Sequence, residues 1–296
     1  MQFERTGGLI FTMYENYSAL AAKARAHCLH MVYIGQSGHI GSMLSAADIM
    51  AVLYEGILRV DPKNPKWPER DRFILSKGHA GALVYAVLAE KGFFPMEWLD
   101  TYDQNDGKLL GHVSHYVPGV EVSSGSLGHG MSIACGMAKV AKEKQQSHRV
   151  FVMTSDGDLN EGSSWEAIMF AGQHHLDNLV AIVDYNRLQA LGFSKDICDL
   201  GDLSSRVEPF GWSCVTIDGH DYGQIEAALK NVPLVHGKPT MIICNTIKGK
   251  SVSFMENQVH SHYWHVGDED LDKAMKELAG GVPAEIAECL PQGVKA

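Results

Sequence analysis

Apolar runs of strand length, each followed by a segment long enough for a helix, organise the second half of the chain. RVFVMT (149–154) and NLVAIVD (178–184) are continuously apolar rather than alternating, as in strands covered on both faces. With a helix between them they make a βαβ unit. WSCVTID (212–218) and PTMIICNTI (239–247) repeat the pattern, and DRFILS (71–76) is a shorter run of the same kind. The first half is more helical. Residues 15–35 predict a helix closing on Gly35, SAADIMAVLYEGIL (45–58) a second, AGALVYAVLAEKG a third with a glycine stop, and MSIACGMAKVAKEK a fourth rich in small residues. DPKNPKWPER (61–70) is a proline-rich loop, and residues 104–130 hold many Gly, His and Ser with little periodicity. A structureless stretch of that length inside a compact domain is usually functional. No linker, repeat or low-complexity run divides the chain. The expected fold is therefore one α/β domain over residues 1–296. It is a doubly wound, mostly parallel sheet flanked by helices, with a helical N-terminal segment and a short C-terminal tail. In such sheets ligands bind beyond the carboxyl ends of the strands.

Composition narrows the classes. With 45% hydrophobic and 20% charged residues the chain can bury a sizeable core. A net charge of -10 without a Lys/Arg run argues against a nucleic-acid partner. The start, MQFERTGGLIFTMYEN, has an early Glu and a broken apolar run and is a poor signal peptide. No stretch approaches the roughly 18 apolar residues of a membrane span. The six cysteines form no CxxC, against zinc-ribbon and thioredoxin readings. Reduced, mostly buried thiols in a cytoplasmic protein are expected.

Candidate chemistry gathers at the predicted strand ends. Asp156 lies just past the strand at 149–154 and Asn186 just past that at 178–184. If the two strands are parallel neighbours, a carboxylate and an amide oxygen meet there, and a backbone carbonyl can join them. Magnesium favours such an oxygen-only set, completed by waters and substrate phosphates. Gly157 and Gly162 permit a tight turn, and a helix starting near Gly162 would aim its first amides at an anion. The same residues suit a plainer role, with Asp156 and Asp158 as helix caps or turn formers. The motif alone does not separate the two. TIKGKS lacks the first glycine of a P-loop, since position 244 is Cys244, and GSLGHG (125–130) has the wrong offsets for GxGxxG.

Histidines add a second signal. SGHIG (His39), SKGHAG (His79) and GHVSH (His112, His115) are Gly-flanked turns, and HSHYWH adds His260, His262 and His265. Each alone is an ordinary surface histidine. Several beside an anion site suggest a polar pocket whose imidazoles donate to phosphate or sugar hydroxyls and shuttle protons. Zinc is the weaker explanation, because HSHYWH has no nearby Cys and HExxH is absent.

Asp156-Gly157, a spacer of about thirty residues and then Asn186 matches the thiamine diphosphate motif. SGHIGSMLSAADI, DRFILSKGHA, GVEVSSGSLGHG, SDGDLNEGSSWEA, DYNRLQALG and TIKGKSVSFMEN occur in order. Together they resemble transketolase in its cofactor-diphosphate half, over residues 15–266. The resemblance implies that Asp156, Asn186 and the Leu188 carbonyl hold Mg²⁺ (or Ca²⁺ or Mn²⁺ in its place). It implies that Gly157 and Asp158 line the phosphates of thiamine diphosphate. His79 and His265 would stand near the diphosphate and the reacting centre, and His39 and His112 would contact hydroxyls of the donor sugar. Gly125, Ser126 and Leu127 would meet the aminopyrimidine ring. Glu161 and Glu166 would belong to a carboxylate network linking two cofactors across a dimer.

Three positions depart from the family pattern: Ser155 for the first Gly of GDG, His129 for a Gln, and Val266 after Trp264-His265 where the family has Gly. The last restricts the turn beside His265. The cofactor is switched on by a glutamate that the family carries in its pyrimidine-binding domain, beyond the region of resemblance, together with the arginines that bind the sugar phosphate. The resemblance thus implies the N-terminal subunit of a split transketolase. It would transfer a two-carbon ketol unit from a ketose phosphate, or a modified ketose, to an aldose. It would be active only with a C-terminal partner subunit, in a heterotetramer. The rival readings are another thiamine enzyme, such as a deoxyxylulose-phosphate synthase relative or a 2-oxoacid dehydrogenase α subunit, and a non-catalytic partner subunit. The histidine set favours a sugar-handling enzyme.

Overall fold

A computed structural model describes residues 4–6, 9–11 and 13–291. Strands β1 (Glu4–Thr6) and β2 (Leu9–Phe11) form an antiparallel pair that the sequence pattern does not announce. Helix α1 (Met13–Gly35) follows, then α2 (Ile40–Val52) with a π-helical turn over Leu53–Ile57. Next come β3 (Arg72–Leu75), α3 (Gly81–Glu90), α4 (His129–Glu143), β4 (Val150–Ser155), α5 (Gly162–Gln173) and β5 (Leu179–Tyr185). The short helices α6 (Ser194–Ile197) and α7 (Leu203–Val207) precede β6 (Ser213–Asp218), α8 (Tyr222–Lys230) and β7 (Thr240–Asn245). The described chain ends with α9 (Asp268–Gly280) and α10 (Ala284–Ala287).

The five predicted apolar runs form one sheet in the order β3-β4-β5-β7-β6, with every neighbouring pair parallel. Along β4 the inward directions alternate between two cores. Phe151 and Met153 pack with α1, α2 and α3, whereas Val150 and Val152 pack with α4 and α5. This double cover is why Val150–Met153 includes no polar residue to mark a solvent face. Burial of both sets supplies the main driving force for the sheet, at roughly 25 cal/mol per Å² of apolar surface.

Two expectations change. The second helix begins at Ile40 rather than 45. His39, with φ of 73°, turns the chain into it, and its backbone N–H donates to the His262 carbonyl at 2.6 Å. That start is set by a contact more than two hundred residues away in sequence, so local pattern does not locate it. The continuous run Ile40–Ile57 also has 18 residues with a mean hydropathy of 1.3, long and apolar enough to cross a membrane, against the expectation that none would be. In the fold 89% of it is buried against the rest of the protein, so its apolarity is that of a central core helix.

Candidate active site

The register of the sheet builds the site. Ser155 pairs with Asp184, so β4 and β5 release Asp156 and Asn186 side by side at their carboxyl ends. Tyr185 pairs with Asn245, which brings the turn after β7, with Lys248, to the same edge. There a cavity of about 340 Å³ opens, lined among others by His39, His79, His112, Asp156, Asn186 and Lys248. Gly125, Leu127, Gly157 and Leu188 also border it. The loop 104–130 reaches the cavity through a close backbone approach. A Cβ on Gly78 would stand 2.1 Å from the Ser124 carbonyl oxygen, and Val113 N–H donates to the Gly78 carbonyl at 3.0 Å. This docking places His112 and Gly125 opposite the strand ends.

The oxygen set suits a hard cation. Asp156 is 2% exposed and accepts hydrogen bonds from the Gly157 N–H at 3.1 Å and from the Ser194 hydroxyl. No Lys or Arg pairs with it by salt bridge among the described residues. Burial, the largest influence, pushes its carboxyl above the usual carboxylate range, with the nearby Asp184 adding to the shift. A buried carboxylate held only by neutral donors is what a bound cation would offset. Asn186 Oδ1 accepts from Leu188 N–H at 3.1 Å, and the Leu188 carbonyl accepts from Lys248 Nζ at 3.1 Å. Each of these oxygens retains a second lone pair. The three predicted ligands therefore fit a magnesium-type ion in donor chemistry.

Four imidazoles also line the cavity. The His39 ring lies 5.0 Å from His79, 5.7 Å from His112 and 4.8 Å from His262, centroid to centroid. His39 Nδ1 and His262 Nε2 are 3.1 Å apart, and His262 Nδ1 is 3.1 Å from Lys248 Nζ. An ammonium has no acceptor, so His262 Nδ1 accepts and its proton sits on Nε2, donated to His39. Burial, followed by the neighbouring His112 and Lys248, lowers His39 to about 4. Burial and then Lys248 lower His262 to about 3, and burial also pushes His79 well down. His39, His79 and His262 are therefore neutral at pH 7 and exchange hydrogen bonds without carrying charge.

A family model described as the transketolase thiamine diphosphate binding domain matches residues 17–294. The chain belongs to the transketolase family. It is 42% identical to the 6-deoxy-6-sulfo-D-fructose transketolase subunit of Clostridium sp. (strain MSTE9), over 81% of this chain and 88% of that protein. It is 40% identical to an apulose-4-phosphate transketolase subunit of Actinobacillus succinogenes, over 89% of this chain and 97% of that one. The crystal structure of Campylobacter jejuni transketolase superposes with a TM-score of 0.84 at 32% identity, over 95% of this chain and 46% of that one. The chain thus spans most of the subunit-named relatives and less than half of that longer transketolase. Its sheet is the thiamine diphosphate-binding fold.

Several predicted transketolase positions lie elsewhere than expected. His265 is outside the histidine cluster. The backbone around it alternates, burying Val266 in the core and leaving His265 exposed on a separate cleft with Tyr33 and Asp100. His262, three residues earlier on the helical turn Val259–His262, occupies the cavity instead. The departure Val266 therefore anchors the segment rather than distorting the site. Asp158 does not line the cavity. It is fully buried, and its carboxylate accepts from Ser76 Oγ at 2.5 Å, Gly128 N–H at 2.8 Å, and the Ser155 N–H and hydroxyl at 3.1 Å each. It ties the 124–128 loop to the ends of β3 and β4. Ser155, the substitution in GDG, is thereby accommodated as a donor to Asp158.

Ser126 is exposed and outside the cavity lining, between Gly125 and Leu127, which are inside it. The start of α5 at Gly162 is also outside, because the turn Asp158–Asn160 intervenes. Glu161 and Glu166 are exposed beside α5, together with Met169 and Phe170. His129 is exposed at the start of α4. His115 bonds to Ser123, and His260 packs on Trp264.

Sequence reasoning missed two buried lysines. Lys77 pairs with Asp184 at 2.5 Å, both side chains at 0% exposure, and donates to the Ser42 carbonyl at 2.8 Å and hydroxyl at 3.0 Å. Lys248 lies in TIKGKS, which drew notice only as a failed P-loop. Its neighbourhood to the strand ends was the signal that a lysine there could matter.

Proposed function

We propose that this chain is the thiamine diphosphate-holding subunit of a two-chain transketolase. The observation that carries the reading is the cavity in which Asp156, Asn186 and Leu188 meet His39, His79, His112 and His262. Bound thiamine diphosphate supplies the electron sink for breaking a carbon–carbon bond of a ketose. Asp156, Asn186 and the Leu188 carbonyl would hold Mg²⁺, with Ca²⁺ or Mn²⁺ as substitutes. Lys248, lowered to about 8 chiefly by burial, stays mostly protonated at neutral pH and favours the anionic diphosphate. His39 and His112 would hydrogen-bond donor hydroxyls, while the neutral His79 and His262 would pass or accept protons.

A second chain would supply the activating glutamate and the arginines for the sugar phosphate. Support comes from the two subunit-named relatives, matched over 88% and 97% of their lengths. Glu161 and Glu166, exposed beside the apolar Met169 and Phe170, would meet a second copy, giving a heterotetramer. The donor is a ketose phosphate or modified ketose, as the names of those relatives suggest.

The test is a two-carbon transfer assay with the purified chain, alone and with a pyrimidine-domain chain encoded beside it. Transfer by the pair and none by the chain alone is expected. Turnover by the chain alone would overturn the two-chain reading, and release of CO₂ from a 2-oxoacid would point to a different thiamine enzyme. Asp156→Ala should abolish Mg²⁺-dependent cofactor binding to the assembled complex in calorimetry. Unchanged affinity would refute the ligand assignment.

A further inference from the structure

Outside the cavity lining, α1, α2 and the turn after β6 enclose a buried polar network that the proposed chemistry does not use. Arg25 and Asp48 are each 4% exposed, and the guanidinium grips the carboxylate at 2.9 and 2.6 Å. Arg25 Nε also donates to the Leu44 carbonyl at 3.2 Å. Asp48 accepts in addition from Tyr222 OH at 2.9 Å and from His220 Nδ1 at 2.8 Å. The other nitrogen of His220 points out of this network. Its Nε2 lies 2.9 Å from the backbone N–H of Ile247 and must accept. The tautomer is thereby fixed, with the proton on Nδ1 and a lone pair on Nε2.

Ile247 stands just past the end of β7, where the ladder no longer supplies an acceptor for its N–H. The next residue is Lys248, whose side chain turns into the cavity and bonds the Leu188 carbonyl. We infer that His220 is a positioning residue: clamped by the Arg25–Asp48 pair, it fixes the Thr246–Ile247 peptide, immediately before Lys248, and so sets where the Lys248 ammonium stands. Its consequence for cofactor binding rests on the thiamine diphosphate reading above, but the anchor itself does not.

Two near-isosteric substitutions separate the halves of the ring. His220→Gln keeps an acceptor near the Nε2 position, and His220→Asn keeps only a group near Nδ1. Hydrogen exchange of the full chain without cofactor, followed on peptides covering residues 246–251, reads the anchor directly. His220→Asn should speed exchange there while the β7 amides stay protected, and His220→Gln should stay close to the wild type. In the complex with its partner, His220→Asn should weaken thiamine diphosphate binding about tenfold, the effect of one lost buried hydrogen bond. His220→Gln should bind normally.

Equal behaviour of the two variants, or unchanged exchange in His220→Asn, would overturn the inference. Should His220→Asn fail to fold, the wild type decides. An Ile247 amide exchanging as slowly as those of β7 supports the anchor, and a fast one refutes it. A wild-type complex that takes up no thiamine diphosphate, with the exchange results as expected, would sink the cofactor reading and leave the anchor standing.

Discussion

Asp184→Asn should cost the chain a large share of its stability. The carboxylate of Asp184 and the ammonium of Lys77 have no solvent contact and stand 2.5 Å apart. Asp184 also accepts from Ser45 Oγ at 2.6 Å, from Asn186 Nδ2 at 3.3 Å and from the Thr246 hydroxyl. Lys77 keeps two neutral acceptors on Ser42, so the substitution spares part of its hydrogen bonding but leaves its charge unpaired. Removing one member of a buried pair typically costs about 3–5 kcal/mol. Against a typical total of roughly 5–15 kcal/mol, that is enough to shift the unfolding midpoint substantially.

Urea denaturation of the full chain at pH 7, followed by circular dichroism, measures this loss. The double variant Asp184→Asn/Lys77→Met removes the stranded charge and should recover most of it. A single-variant loss below about 1 kcal/mol, the range of exposed pairs, would show that Lys77 is hydrated or neutral in the fold. A double variant as unstable as the sum of the singles would show that the two charges are not coupled.

Replacing the two histidines in turn tests the proposed site: His262→Ala should lower kcat of the assembled enzyme by about 10²-fold or more, the scale of a lost proton-transfer group. His265→Ala should leave it near the wild-type value. Gly172→Ala should destabilise the chain by about 3 kcal/mol in the same denaturation assay, because the new Cβ would stand 1.7 Å from the Phe210 carbonyl oxygen on backbone that must shift. Asp71 governs an acid limb. Burial alone would raise its carboxyl, but hydrogen bonds from Arg149 and Arg59 hold it below its ordinary 3.8. Its stabilising effect is therefore present above that value and is lost as pH falls through the lower folded-state value. Asp71→Asn should be less stable at pH 7 and show a flatter decline between about pH 5 and pH 2 in urea midpoints.

The continuously apolar runs at 149–154 and 178–184 were enough to announce a doubly covered parallel sheet, because hydrophobic cover on both faces leaves a one-dimensional trace. The strand-end residues Asp156 and Asn186 were legible for the same reason: a run that stops shows where the carboxyl end of a strand lies. Family motifs then supplied chemistry that the pattern alone left undecided between a metal site and a pair of helix caps.

What the sequence by itself determined was thus the five strands of the main sheet, their parallel arrangement and the oxygen donors at their ends. Only the tertiary structure decided which polar residues face the cavity. His262 and His265 sit three apart in one short segment, and the burial of Val266 turned one inward and the other to solvent. Asp158 looked like a phosphate neighbour, yet four donors from three segments consume it. Lys248 looked like a failed motif, yet strand register carries it to the Leu188 carbonyl beside Asp156 and Asn186. The physical reason is the same in each case. Burial and hydrogen-bond satisfaction are set by partners distant in sequence, and no local spacing encodes which of two nearby polar groups finds them.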